Sequence, residues 1–246
     1  MRIAVVSDVH GNLPALRAVL DDIRGRGCDA IANLGDLASG PLWPAETLAL
    51  LMDLPAVTIR GNHERQLLET DPAAMGASDR FTHGTLAPAH LDWMAALPAQ
   101  AWIDGEVLLL HGSPASDVGY LSERVDASGP RAGTPDELAA DLAGLEARVV
   151  LCGHTHVPRA LPLGDGRLCV NPGSVGLQAF RGRSPHPHVM QSGTPAARYA
   201  MLQRDSGSWH AQLLAVEYDP APAAALARER GFDEWVGALR DGRLPP

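Results

Sequence analysis

The chain has 246 residues, of which 46% are hydrophobic and 20% are charged. This composition is typical of a globular protein long enough to bury a core without cross-links. Its three cysteines lack C-x-x-C spacing, which argues against a disulfide framework or a thiolate zinc cluster. All positive charge is arginine, and the formal net charge of −9 argues against a broad nucleic-acid-binding surface, which needs a basic face.

The sequence predicts neither a signal segment nor a membrane span. The first apolar stretch ends at Asp8, which leaves it too short for the apolar region of a signal peptide. No run of roughly 18 apolar residues occurs along the chain. We therefore expect a cytoplasmic protein without membrane contact.

The first half of the chain alternates between strand and helix patterns. RIAVVSDV predicts a strand, and apolar residues recur at helical spacing from Asn12 to Gly27, two residues suited to begin and end a helix. DAIANLGD and AVTIRGN predict the next two strands, with the helix PAETLALLMDL between them. This order indicates parallel strands joined by helical crossovers, and hence an α/β fold.

The second half favours hairpins. AWIDGEVLLLHGSP predicts two strands around an Asp-Gly turn, and RALPLGDGRLCVNPGS and ARYAMLQRDSGSWHAQLLAVEY predict two more pairs. Thr134 has the spacing of a capping box and opens a helix to about Ala147. Residues 176–195, rich in Pro, His and Arg, predict a loop without regular structure.

We expect a single domain over residues 1–246, because strands pair first with helices and later with each other. Within it, residues 64–105 and 176–198 are expected to flank the substrate. Residues 220–246 are expected to form a C-terminal helical tail.

Polar side chains follow each of five predicted strands, which end in SDVHGN, LGD, RGNHE, LHGSP and CGHTH. Ligands of open α/β sheets bind outside the carboxyl ends of the strands, so we expect these side chains to share one site. The candidate metal ligands are Asp8, His10, Asp36, Asn62, His111, His154 and His156.

The donor types indicate a first-row metal. In an extended segment, residues two apart point the same way, roughly 6.6 Å apart, so His154 and His156 can face a common pocket. Imidazole combined with carboxylate suits Mn, Fe, Zn or Ni better than Ca. The candidate ligands exceed what one tetrahedral ion uses, which favours two ions with Asp36 as the shared ligand.

Each residue also has an ordinary interpretation when taken alone. Asp36 fits a turn, Asn62 a helix N-cap and His111 a hydrogen-bonded loop histidine. Their joint placement at strand ends favours the metal site. Four further residues in polar, irregular segments are either solvated surface or bind substrate: Arg80, His83, His186 and His188.

The series D-x-H, G-D, G-N-H-E, H-G-S-P and G-H-T-H resembles the calcineurin-like metallophosphoesterases, and more narrowly the small bacterial phosphodiesterases of that superfamily. The motifs cover residues 3–160, and NPGSVG at 171–176 continues the likeness. The resemblance implies a four-layer α/β/β/α sandwich of two mixed β-sheets. It also implies a dinuclear metal site at the carboxyl ends of the strands.

Carried over by position, the resemblance implies a role for each motif residue. One ion would be held by Asp8, His10, Asp36 and His156, and the other by Asp36, Asn62, His111 and His154. The catalytic candidates are His63, Asp36 and Asn62, with His63 facing the substrate as proton donor. Glu64 stands where many relatives carry Asp, and we expect this change to matter little.

The implied activity is hydrolysis of phosphodiesters of nucleotide or cyclic nucleotide type by a hydroxide that bridges two divalent ions, with Mn as the first candidate. A phosphomonoesterase or phosphoprotein phosphatase would use the same chemistry, so it stays open. A protein-binding scaffold has less support, because relatives of that kind have lost ligands that are complete here. The expected partner is a small phosphoester, and a homo-oligomer stays open because relatives are often oligomeric.

Overall fold

The computed structural model describes residues 1–244. The strands are β1 (Arg2–Val6), β2 (Ala30–Asn33), β3 (Val57–Thr58), β4 (Ala101–Ile103), β5 (Val107–Leu109), β6 (Glu123–Asp126), β7 (Gly129–Ala132), β8 (Val149–Leu151), β9 (Arg159–Pro162), β10 (Leu168–Asn171), β11 (Ala179–Gly182), β12 (His188–Gln191), β13 (Ala197–Asp205) and β14 (Ser208–Val216). The helices are α1 (Leu13–Arg26), α2 (Pro44–Met52), α3 (Asn62–Glu69), α4 (Ala77–His83), α5 (Pro88–Ala96), α6 (Pro135–Asp141), α7 (Ala221–Glu229) and α8 (Asp233–Asp241).

Two five-stranded mixed sheets form the centre of the molecule. The first has the order β14-β13-β1-β2-β3, in which β1, β2 and β3 are parallel, β13 is antiparallel to β1, and β14 is antiparallel to β13. The second has the order β4-β5-β8-β10-β9, in which β5, β8 and β10 are parallel and both edge strands antiparallel. In each sheet, therefore, the carboxyl ends of the three parallel strands meet at one edge.

The sheets pack face to face because alternate residues of their strands are apolar. The interface between them includes Ile3, Val5, Leu34, Ile59, Val107, Leu109, Val149 and Leu151, all buried. The opposite face of each sheet carries helices. Leu16 of α1 packs over Val6 of the first sheet, and Leu138 of α6 packs over Val150 of the second. This confirms the α/β/β/α sandwich with two mixed sheets.

Several local predictions are confirmed. The Asn12 side chain accepts a hydrogen bond from the Ala15 amide and caps α1, which ends at Gly27 with φ of 70°. The three predicted hairpins form β4–β5, β9–β10 and β13–β14. The capping box at Thr134 opens α6, although that helix ends at Asp141 rather than near Ala147.

The prediction of an irregular loop over residues 176–195 is wrong, because the segment contains the antiparallel pair β11–β12. Each strand has only four residues, too few for a clear alternating pattern, and the turn between them is rich in Pro. The C-terminal tail forms α7 and α8 as expected, while its last two residues, 245 and 246, lie outside the described residues. Among the described helices, none has the length and apolar character that a bilayer crossing needs.

Candidate metal centre

The loops after five strands bring the predicted ligands together at the strand ends. Backbone hydrogen bonds join neighbouring loops: the Asp8 amide donates to the Gly35 carbonyl at 3.0 Å, and the Gly153 amide donates to the His111 carbonyl at 2.7 Å. The amide of His154 donates to Asp8 Oδ2 at 3.2 Å, and this bond connects the two sheets. The loops therefore form one rigid cluster rather than five separate turns.

The backbone of this cluster is unusual. A positive φ is uncommon for residues other than glycine, and such strain concentrates at functional sites. Most of the non-glycine residues with positive φ in the described chain are predicted ligands. They are Asp8, His10, Asp36, His154 and His156, with φ between 51° and 65°.

One group of ligand-type atoms comes from the loops after β1 and β8. Its members are Asp8, His10 and His156, with side-chain atoms within 4.8 Å of one another. His10 Nε2 lies 3.1 Å from His156 Nε2, and His156 Nε2 lies 3.2 Å from Asp8 Oδ1. All three residues are at most 3% exposed, so water does not screen this cluster.

A second group comes from the loops after β2, β5 and β8, and its members are Asp36, His111 and His154. His111 Nε2 lies 3.2 Å from Asp36 Oδ2 and 3.1 Å from Asn62 Oδ1. Asp36 Oδ2 is also 4.0 Å from His10 Nε2. The carboxylate of Asp36 therefore lies between the two groups.

Three of the four histidine rings are oriented by backbone carbonyls. The Nδ1 atoms of His10, His111 and His156 lie 2.8, 2.7 and 2.6 Å from the carbonyl oxygens of Ser39, Leu34 and Leu177. A carbonyl only accepts, so each Nδ1 carries a proton and donates it. When these rings are neutral, each presents a lone pair at Nε2 to the site, as metal-binding histidines do.

The surroundings set the charge of these groups. Burial, reinforced by neighbouring histidines, lowers the pKa of His10 to about 4 and that of His154 to about 3. Burial works against the charge of Asp8 and of His111. Attraction to His156 nevertheless lowers the pKa of Asp8 to about 2, and attraction to Asp36 raises that of His111 to about 10.

His63 lies beside this centre and is held by a residue that the sequence reading missed. His63 Nδ1 donates to Asp79 Oδ1 at 2.7 Å, and the Ser39 hydroxyl donates to the same oxygen at 2.5 Å. His63 Nε2 is left facing Asp36 Oδ2 at 4.0 Å. Burial lowers the pKa of His63, but Asp36 and Asp79 outweigh it and raise the value to about 9.

Glu64 has a structural role that its place in the motif did not reveal. Its fully buried carboxylate accepts hydrogen bonds from the backbone amides of Asp36, Leu37 and Gly61, each at 2.8 Å. It thereby fixes the loop after β2 to the loop after β3. Asp79 offered no comparable signal, since it lies on α4 outside every motif.

The NPGS segment, residues 171–174, forms hydrogen bonds to two of the loops that carry the predicted ligands. The Asn171 side chain donates to the Gly153 carbonyl at 2.7 Å and accepts from the Gly173 amide at 2.8 Å. The Ser174 hydroxyl donates to the Asp8 carbonyl at 2.7 Å. This turn therefore holds the loops after β1 and β8 together.

The centre opens into a cavity of about 780 Å³. Its floor includes His10, Asp36, His63, His154 and His156. The walls come from the β11–β12 hairpin and from α8. This volume falls within the range of roughly 300–1,000 Å³ that small-molecule sites occupy.

The four predicted substrate-binding residues have different positions. His188 lines the cavity, but it is buried, and its Nε2 accepts from the Tyr120 hydroxyl at 3.0 Å. The Arg80 guanidinium donates to backbone carbonyls, including that of Met75 at 2.7 Å. Arg80, His83 and His186 do not line the described cavity. A role in substrate binding stays a prediction for all four.

Two mixed sheets packed face to face, with clustered histidine and carboxylate side chains at the strand ends, define an α/β protein with two candidate metal-binding groups. The sequence pattern of the calcineurin-like phosphoesterase family matches residues 1–158. The chain is 27% identical over 259 aligned positions to the protein MJ0912 of Methanocaldococcus jannaschii, an alignment covering 96% of this chain and 95% of that protein.

Two solved structures show the same fold over nearly the whole chain. A metallophosphoesterase from Sphaerobacter thermophilus is 29% identical, with a TM-score of 0.76 over 99% of this chain and all of that one. Protein PH1004 from Pyrococcus horikoshii is 18% identical, with the same TM-score over 99% of both chains. The chain belongs to the calcineurin-like phosphoesterase family, and membership implies a hydrolase that acts on phosphoester bonds. The two groups of ligand-type residues suggest divalent metal ions.

Proposed function

We propose that the protein is a phosphodiesterase that uses two divalent metal ions. One ion would be held by Asp8, His10, Asp36 and His156, and the other by Asp36, Asn62, His111 and His154. Asp36 would be shared, in keeping with its place between the two groups.

The observation that carries this proposal is the arrangement of acceptor atoms in the first group. Because Nδ1 of each ring donates to a carbonyl, the facing Nε2 atoms of His10 and His156 both present lone pairs when neutral. Asp8 Oδ1 is buried and accepts no hydrogen bond from the described residues. Buried acceptors without a donor are costly, and a cation among these atoms would satisfy all of them.

The donor set also narrows the choice of metal. Imidazole, carboxylate and amide oxygen together suit first-row ions, so we propose Mn first, with Fe, Zn or Ni as alternatives. When bound, two such ions polarise phosphoryl oxygens and lower the pKa of water toward about 7. They would also reverse the negative charge that Asp8 and Asp36 give the site.

His63 is the proposed proton donor to the leaving oxygen. Asp79 accepts from Nδ1 and stabilises the charged ring, so the proton on Nε2 faces the cavity. Burial lowers the pKa of this ring, but in the metal-free protein Asp36 and Asp79 raise it to about 9. When ions bind Asp36, the hydrogen bond to Asp79 would still favour the charged ring. Proton transfer by a positioned group typically contributes 10²–10⁴-fold to a rate.

The preference for diesters is supported by the size of the cavity. A phosphomonoester has one substituent, whereas a diester has two that must both be accommodated beside the metal centre. The cavity extends from His63 past His156 to the β11–β12 hairpin, which leaves room for a second substituent.

Hydrolysis of bis(p-nitrophenyl) phosphate and of p-nitrophenyl phosphate tests the proposal. Metal-stripped protein is reloaded with Mn²⁺, and Asp36→Asn provides the blank. We expect faster diester hydrolysis that disappears in the variant. Faster monoester hydrolysis would make the protein a phosphatase, and binding of metal without turnover of either ester would favour the scaffold interpretation.

A further inference from the structure

The cavity above the metal centre is built by two parts of the chain. The family pattern that carries the chemistry ends at residue 158. Most of the wall residues lie beyond it, at 177–189 and 234–244. Differences in substrate choice between relatives are therefore expected to arise from these walls rather than from the floor.

Trp235 is the largest side chain in the walls. It lies on α8, is half-buried and lines the cavity. Its ring meets the ring of His10 edge to face, with centroids 6.1 Å apart and planes at 82°. The indole therefore stands directly beside the proposed metal ligands.

The position of this indole is fixed from two sides. Val236 and Leu239, also on α8, are buried against Leu42 and α7. On the other side, the ring lies over Gly40, where an added Cβ would be 2.5 Å from Trp235 Cη2. An aromatic ring held in this way offers a flat apolar surface at little entropic cost.

A second aromatic side chain lies on the same side of the site. The Phe180 ring, on β11, contacts the ring of His156 with centroids 4.7 Å apart. Trp235 and Phe180 thus each adjoin a histidine of the first metal-type group, whereas His154 of the second group adjoins Tyr120 at 5.2 Å. The part of the cavity next to His10 and His156 is consequently walled by indole and phenyl rings.

We infer that Trp235, assisted by Phe180, determines substrate specificity by contacting a planar aromatic group on the non-reacting side of the phosphoester, as a nucleoside base would provide. The inference rests on the proposed function, since it concerns the substrate of the same site. Base–aromatic stacking is sequence-tolerant, because every base has a π-face. The wall therefore selects for a base without selecting among bases.

Two diesters with the same leaving group test the inference: thymidine 5′-(p-nitrophenyl phosphate) and methyl p-nitrophenyl phosphate, each with Mn²⁺-loaded protein. We expect kcat/KM to favour the thymidine ester. Trp235→Ala should reduce that preference roughly 10-fold, mainly through KM, and Trp235→Phe should restore most of it. Trp102→Ala is the matched control, because Trp102 is 44% exposed on the edge strand β4, and both rates should be unchanged.

A binding measurement separates this inference from the proposed function. Calorimetric titration with thymidine 5′-monophosphate and with inorganic phosphate should show tighter nucleotide binding that is lost in Trp235→Ala and weakened in Phe180→Ala. Failure to hydrolyse either diester, with nucleotide binding intact and dependent on Trp235, would refute only the diesterase proposal. The inference would be overturned if Trp235→Ala lowered kcat/KM equally for both esters and lowered the affinity for nucleotide and for phosphate equally. Trp235 would then have only a structural role. No preference in the wild-type protein would overturn it as well.

Discussion

The Nε2 atoms of His10 and His156 lie 3.1 Å apart, while the Nδ1 atom of each ring donates to a backbone carbonyl. When both rings are neutral, as metal binding requires, their Nε2 lone pairs point at each other in a site that is buried from water. The nearby Asp8 Oδ1 adds a third acceptor without a donor. The fold therefore carries a local electrostatic cost that a bound cation removes.

Metal loading is expected to stabilise the folded protein. An ion that binds only the native state adds roughly 2.7 kcal/mol at 100-fold excess over its Kd. For a chain of this size, that corresponds to a rise in Tm of about 5 °C or more. Calorimetry of metal-stripped and Mn²⁺-reloaded protein measures the rise.

Asp36→Asn should lose most of this stabilisation, because the carboxylate between the two groups is replaced by a neutral amide. Asp53→Asn is the control, since Asp53 is exposed at the end of α2. Elemental analysis should find about two ions per chain in the wild type and the control. An unchanged metal response in Asp36→Asn would argue against the proposed ligand set.

Asp79→Asn is expected to slow turnover without removing metal. The amide keeps the shape of the side chain but no longer stabilises a charged His63. We expect a loss of about tenfold, smaller than the loss of about 100-fold or more in His63→Ala. Steady-state kinetics with elemental analysis of both variants measures these effects, and Asp92→Asn, an exposed change on α5, should leave turnover intact.

Asp79→Asn should also change the dependence of turnover on pH. Burial lowers the pKa of His63, whereas Asp36 and Asp79 raise it in the metal-free protein. With ions bound to Asp36, Asp79 still favours the charged ring, and the proton must be present for it to be donated. Turnover should therefore fall as pH rises through that pKa. In Asp79→Asn the pKa is lower, so the fall should begin at lower pH. If turnover fell over the same pH range in the wild type and in Asp79→Asn, Asp79 would not be the residue that raises the pKa of His63.

The contrast between His63 and Asp79 illustrates what the sequence can predict. His63 follows a strand and belongs to a motif, and strand ends must meet at one sheet edge whatever the helices do. Asp79 lies on α4, 16 residues from His63 along the chain, and only the packing of α4 against the loop after β2 brings it to His63. No local pattern encodes that contact.

The residues of the cavity walls could not be predicted from the sequence either, because their positions depend on tertiary packing. Phe180 lies in a four-residue strand of a segment predicted to be irregular, and Trp235 lies in a tail for which only helix was predicted. Helical periodicity identifies a buried face but not what that face covers. That Trp235 meets His10 depends on how α8 docks, which is a tertiary property.

Glu64→Gln is expected to lower the stability of the fold. The carboxylate accepts three backbone amide bonds, and the NH₂ group of glutamine cannot accept any of those made to the oxygen it replaces. Leaving a buried amide unsatisfied costs about 1–3 kcal/mol. Chemical denaturation of metal-loaded protein measures the loss.

Glu69→Gln is the matched control on the same helix, because Glu69 is exposed near the end of α3. Its free energy of unfolding should remain within about 0.5 kcal/mol of the wild type. Glu64→Asp tests the expectation that the family's Asp is equivalent here. A loss as large as that of Glu64→Gln would show that the longer side chain is needed to reach all three amides.

Metal affinity should increase with pH, and His111 provides the reason. Burial lowers the pKa of this ring, but Asp36 overcomes the effect and raises it to about 10 in the metal-free protein. The ring is therefore protonated at neutral pH, and that proton must leave before Nε2 can bind an ion. His10 and His154 need no such step, because burial lowers their pKa values to about 4 and 3. Below the pKa of His111, each proton displaced makes affinity rise about tenfold per pH unit.

Calorimetric titration of Mn²⁺ in two buffers of different ionisation enthalpy counts the protons released, and His111→Ala should release fewer. Affinity that stays flat between about pH 6 and 8 would mean that His111 is already neutral, and that Asp36 draws its compensating charge from elsewhere in the site.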